Sequence, residues 1–241
     1  MEQKFATEII ELPSKGLLYP ENNPLSSGKI ELKYMTAKEE DILTNQSYIS
    51  NGTVLDKLLQ SLIVDKSINY DDLLVGDKNA VLIASRVLGY GPEYSFDYNG
   101  KTYEVNLAQL DAKPIDESLF TRGKNEFSYT LPATGTEITF KLLTHGDEQK
   151  IEQEIKGLQK LKKEAGELTT RLKYIITSVG GNTSTAEIRN FVDNHFLARD
   201  TRAFRKYLNS IQPDIDLTLK LDGVEESINI PINLSFFWPD I

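Results

Sequence analysis

The sequence predicts an α+β fold built from two tandem copies of one module. Each copy holds an antiparallel strand pair, helices and a closing β-hairpin. Three observations predict it. Apolar residues alternate with polar ones at the start of each half, the period of a half-buried strand. Apolar residues recur every three or four positions in the middle of each half, the period of a helix face. The landmarks also return in the same order. Leu12-Pro13-Ser14-Lys15-Gly16 returns as Leu131-Pro132-Ala133-Thr134-Gly135, and Ile30-Glu31-Leu32-Lys33-Tyr34-Met35-Thr36 as Ile138-Thr139-Phe140-Lys141-Leu142-Leu143-Thr144. Asp77-Lys78-Asn79-Ala80 returns as Asp200-Thr201-Arg202-Ala203, and Asn99-Gly100 as Asp222-Gly223. The offsets are 119, 108, 123 and 123, and each change falls in a connection, where length is cheap to alter.

The first module spans residues 1–113. Ile10 and Leu12 form one strand and Ile30, Leu32 and Tyr34 the next, separated by a turn-rich excursion containing Pro20, Pro24 and Gly28. Thr36-Ala37-Lys38-Glu39 has the spacing of a capping box and opens a helix. Val54, Leu55, Leu58, Leu59, Leu62 and Ile63 mark a second helix. A third runs from Asp77 to a break at Gly89, Gly91 and Pro92. The module closes with a hairpin of Tyr94/Phe96/Tyr98 and Tyr103/Val105/Leu107. Asn99-Gly100 supplies the two positive-φ positions of a type I′ turn.

A polar linker is expected over 114–125 and a second module over 126–241. Its strand pair is Phe127/Tyr129/Leu131 with Ile138/Phe140/Leu142, and its hairpin sets Leu217, Leu219 and Leu221 against Ile228, Ile230 and Ile232. The main departure is an extended helical region at about 147–179, either one long helix or a helical hairpin. Gly157 and Gly166 each cost about 1 kcal/mol in a helix interior, which keeps the hairpin open.

Composition narrows the function. The chain of 241 residues is 39% apolar and 26% charged, an ordinary globular mixture. A net charge of −9 argues against nucleic acid, and the basic run at 156–163 is followed at once by Glu164 and Glu167. There is no cysteine, so disulfides, thiol chemistry and cysteine-based zinc sites are excluded. No apolar run approaches a membrane span, and residues 1–5 lack the pattern of a signal peptide, which together predict a cytoplasmic protein without a membrane partner.

The motifs that carry chemistry fail one by one. Gly100-Lys101-Thr102 imitates the end of a phosphate-binding loop, but Ser95 stands where that loop needs glycine. Asp65, Ser67, Asn69 and Asp71 are spaced like calcium ligands. Tyr70 and Gly76 replace the required glycine and glutamate, so a turn and helix cap is the expected role. Only His145 and His195 exist. Neither lies in a metal or nucleophile motif, and His195 is expected to be partly buried. Asp214 and Asp216 read as a solvent-exposed pair. No catalytic, cofactor-binding or metal residue is assigned, no cofactor is expected, and the chain reads as a non-enzymatic binding protein.

Candidate contact residues follow from apolar side chains in unusual places. Phe236, Phe237 and Trp238 are consecutive aromatics near the end of the sequence, expected either to strap onto the second module or to anchor a partner. Leu158, Leu161 and Leu168 lie on the extended helical stripe. Tyr19 and Leu25 lie in the turn-rich excursion.

Several of these segments together resemble a known family. Leu-Pro-Ser-Lys-Gly-x-x-Tyr at 12–19, Met35-Thr36-Ala37-Lys38-Glu39-Glu40-Asp41-Ile42-Leu43, Val75-Gly76-Asp77-Lys78-Asn79-Ala80, residues 86–90 and Phe-Phe-Trp-Pro at 236–239 are similar to baseplate hub or hub-assembly proteins of contractile-tailed, T4-like phages. Paired cysteines near the two hairpins of some such proteins imply metal knuckles. Here 98–103 and 219–226 contain none, so no metal is carried over. The resemblance implies a structural or assembly protein of the phage tail baseplate hub that binds other tail proteins, with the tape-measure protein among them and self-association left open. It implies a place in the host cytoplasm during assembly and then in the virion baseplate. The alternative is a transient chaperone of the tape-measure protein or hub that is absent from the virion. A hydrolase of tail assembly or infection is the remote alternative.

Overall fold

The computed structural model describes residues 6–162, 166–220, 227–232 and 234–237, and its fold is α+β. The chain opens with an antiparallel pair, β1 (Thr7–Glu11) and β2 (Lys29–Lys33), in which Ile10 faces Ile30 and Glu8 faces Leu32. Ile30 and Leu32 are buried while β1 is exposed except for Ile10, so only one face of the pair meets the core. The connection between them folds back on itself through Gly16 and Gly28. Both have positive φ, and a Cβ on Gly16 would stand 2.5 Å from the Gly28 nitrogen.

Helices α1 (Ala37–Leu43), α2 (Gln46–Ser50), α3 (Val54–Leu62) and α4 (Val75–Tyr90) follow. The predicted capping box starts α1, with the Glu39 carboxylate accepting from the Thr36 backbone at 3.0 Å. Leu58, Leu59 and Leu62 bury the apolar stripe of α3. Gly91, at φ +83°, turns the chain out of α4 into the hairpin of β3 (Glu93–Tyr98) and β4 (Lys101–Asn106). Asn99 and Gly100 take the positive φ values that the type I′ turn requires.

The second half has a three-stranded sheet where the sequence predicts two strands. Here β5 (Phe127–Thr130) pairs with β6 (Glu137–Phe140), and β6 also pairs with β7 (Ile176–Val179). That strand falls inside the predicted 147–179 helical region and corrects it. The region is α5 (His145–Lys160), a break, α6 (Glu167–Ile175) and then β7. Lys162 at φ +56° ends the first helix, and Gly166 caps the second instead of weakening a continuous one. Helices α7 (Thr185–Asn194) and α8 (Ala198–Ile211) complete the half. The final hairpin is shorter than predicted: β8 (Thr218–Leu219) pairs with β9 (Ile228–Asn229), while Leu221 and Asp222-Gly223 lie outside the described residues.

Two pairs of contacts, one set in each half, are alike, although they do not establish a duplication. The Asp77 carboxylate, in the first turn of α4, accepts from the Ser14 backbone at 2.9 Å and its hydroxyl at 2.6 Å. The Asp200 carboxylate, in the first turn of α8, accepts from the Ala133 backbone at 2.7 Å and the Thr134 hydroxyl at 2.9 Å. Lys33 pairs with the capping-box Glu39, and Lys141 with the capping-box Asp147, both at 2.7 Å.

One continuous apolar core runs through both halves. The predicted linker is fastened on each side. Gly123 N donates to Leu17 O, the Phe120 ring packs edge-on against Phe127, and Asn125 exchanges hydrogen bonds with the Leu142 backbone. Just before it, Ala112 bridges to Ile215.

Candidate functional site

A polar cluster lies where the two halves meet. Asp56 comes from α3, Lys78 from α4, and His145 and Gln149 from one face of α5, four residues apart. Leu73 O accepts from the His145 backbone and Leu143 O from the Val75 backbone, so main-chain bonds set the start of α4 against the start of α5. Gly146 lets α5 come close to the backbone of Asp71.

Lys78 Nζ stands 3.0 Å from Asp56 Oδ1 and 3.0 Å from His145 Nδ1. An ammonium only donates, so Nδ1 accepts and the ring proton sits on Nε2, which donates toward Asp56 Oδ2 at 3.4 Å; the Gln149 side-chain amide, 2.9 Å from the same nitrogen, must then turn its oxygen toward it. The Tyr70 hydroxyl donates to Asp56 at 3.1 Å, and its ring meets His145 edge-on at 4.6 Å. Burial alone raises the Asp56 pKa, but the His145 hydrogen bond and the Lys78 charge outweigh it and hold the carboxyl well below its usual range. Burial, then the Asp56 charge, push the Tyr70 hydroxyl well above its ordinary value, so it serves as a neutral donor.

Asp56, Lys78, His145 and Gln149 line a cleft of about 610 Å³. An Arg171–Glu148 pair, bidentate at 2.6 and 2.8 Å, separates it from a more apolar cavity of about 280 Å³ between α6 and α8. Chemically the cluster is a closed set of donors and acceptors. Asp56 is a saturated anion, Lys78 is neutralised by it, and His145 is held in one tautomer with both nitrogens engaged. Among the described residues, no group of three or more His, Asp or Glu is placed to hold a metal ion. What this arrangement does is clamp α3 and α4 of the first half to α5 of the second.

The residues singled out from sequence are scattered. Phe236 and Phe237 are fully buried, which takes their side chains out of an exposed partner surface. They also strap onto the first half, correcting the expected second. Phe236 O accepts from Arg86 Nε of α4 at 2.7 Å, and its ring meets Tyr94 of β3 edge-on at 4.9 Å. Arg86 is itself buried, also donates to Gly91 O and Glu93 O, and has the Tyr90 and Phe236 rings beside its guanidinium. Trp238 lies outside the described residues.

Tyr19 and Leu25 are buried too, so neither stands on the surface assigned to them. Tyr19 donates to Asp77 at 2.6 Å and accepts from the Leu74 backbone at 2.9 Å, which uses its polar end to tie the excursion to α4. Leu158 is half-buried, whereas Leu161 is 68% and Leu168 41% exposed. His195 is exposed at the end of α7, not partly buried. Asp214 is half-buried and accepts from Asn79 at 3.0 Å, while Asp216 is exposed.

Sequence reasoning missed Asp56, Lys78 and Gln149. Their only common property is a meeting of three helices, and no spacing along the chain encodes it. His145–Gln149 at i, i+4 after a capping threonine was the one local signal. Comparison with family models, curated proteins and solved structures gave no match.

Proposed function

We propose that the protein is a non-enzymatic structural or assembly component of a contractile phage tail, acting at the baseplate hub by binding other tail proteins. The sequence resemblance spans nearly the whole chain. The observation that carries a binding role is the pair of exposed leucines, Leu161 and Leu168, on either side of the break between α5 and α6. Apolar side chains at the facing ends of two helices, next to charges such as Lys160 and Glu167, suit contact with a partner: the leucines lose water and the charges set register. The junction cluster favours a scaffold as well, because its groups are spent on one another.

The test is mass spectrometry of purified virions beside a pull-down from infected cytoplasm. Fixed stoichiometry in virions is the expected result and marks a hub subunit. Absence from virions with tail proteins co-purifying from the lysate marks a transient chaperone of the hub or tape-measure protein. Absence from both rejects the tail reading.

A further inference from the structure

Strand β1 is paired on one side only. Leu12 N donates to Gly28 O and Tyr34 N to Ala6 O, and the register between them sets Glu8 against Leu32 and Ile10 against Ile30. In an antiparallel ladder, alternate residues carry the hydrogen bonds. The N–H and C=O groups of Thr7, Ile9 and Glu11 therefore point away from β2, and among the described residues no strand pairs with them. Ile9 is 64% exposed, while most of the chain's isoleucines are buried or half-buried. Charged side chains normally guard such an edge. Here both acidic residues are already engaged: Glu11 with Lys29 at 3.7 Å, and Glu8 accepting from the Tyr34 hydroxyl at 3.2 Å.

We propose that two copies of this chain pair through β1, antiparallel, about a two-fold axis at Ile9. The sequence Thr7-Glu8-Ile9-Ile10-Glu11 is self-complementary in that register. Ile9 opposes the partner's Ile9, Thr7 opposes the partner's Glu11, and Glu8 opposes the partner's Ile10, so no carboxylate faces another directly. All three outward-facing residues fall in hydrogen-bonded pairs, giving about six ladder bonds between the copies. A slip that moves the axis to Glu8 would set that residue against the partner's Glu8 and cut the overlap of the two strands to residues 7–9. The interface is isologous and closes at two copies, joining two β1–β2 pairs into one four-stranded sheet. It does not depend on the tail reading.

The full chain provides the test. Sedimentation equilibrium of the wild-type protein should give a reversible dimer. Ile9→Pro removes an outward N–H without touching the β2 ladder and should raise the dissociation constant at least about tenfold. Ile9→Lys keeps the backbone but brings two cations together, and should weaken the dimer if proline disturbs the fold by circular dichroism. The absence of cysteine makes the register readable. Ile9→Cys should cross-link with itself, and Thr7→Cys mixed with Glu11→Cys should cross-link with each other. Thr7→Cys alone should not, because the two Thr7 positions lie about 14 Å apart along the strands. A monomer at every concentration, a dimer indifferent to both Ile9 variants, or self-cross-linking of Thr7→Cys overturns the proposal.

Discussion

Two aspartates show how one side chain fixes a loop to a helix. Asp77 is fully buried, and burial pushes its carboxyl upward against the pull of hydrogen bonds from Ser14 and Tyr19. Asp200 does the matching work with one hydrogen bond fewer. Asp77→Ala leaves three donors unanswered, one of them a backbone N–H, and should cost about 3 kcal/mol by chemical denaturation; Asp200→Ala should cost less. Equal losses would mean that the Tyr19 bond contributes nothing. Glu39 supplies the pH dependence. Its burial raises the pKa, but hydrogen bonds from Lys33, Thr36 and Ser61 prevail and bring it from 4.5 to about 2. A carboxyl depressed in the native state stabilises it above the unfolded value, and that contribution is lost as pH falls from about 4.5 toward about 2. Glu39→Gln should therefore be less stable at neutral pH and lose less stability across that window, as read from acid titrations of folding.

At the scale of elements, α4 contains a glycine that helix propensity alone would reject. A Cβ on Gly76 would lie 1.8 Å from the Pro213 carbonyl oxygen, so the start of α4 runs directly against the chain that leaves α8. Gly76→Ala gains about 1 kcal/mol of propensity and still should destabilise, because backbone must move to admit the methyl; a raised melting temperature would contradict this contact. Elements whose signals are local were legible in the sequence. The α1 capping box, the α3 stripe and the Asn99-Gly100 turn are each specified by residues within a few positions. Strand β7 was not, because Ile175, Ile176 and Val179 also fit a helical stripe, and only pairing with β6 decides between the periods. The junction cluster was invisible for the same reason at larger range: Asp56, Lys78 and His145 meet only after three helices have packed. The aromatic segment was legible as important but not in its role, since apolar side chains read alike whether they fill a core or meet a partner.

In the whole molecule the halves are packed against each other at several places. Residues 111–113 lie against 214–216, the start of α4 against the start of α5, and the Phe236–Phe237 segment against α4 and β3. Modules joined by a plain linker fold independently, whereas these share one core and should unfold in a single transition by calorimetry. The buried Arg86 draws out what this means during synthesis. Its guanidinium has the Phe236 carbonyl as an acceptor, and that residue is translated 150 positions later. A nascent chain can build β1, β2 and the early helices as they emerge, yet Arg86 of α4 lacks the Phe236 carbonyl and ring until residue 237 has left the ribosome. Folding should therefore commit late, and a product that stops before residue 236 should be cleaved faster by a protease than the full chain.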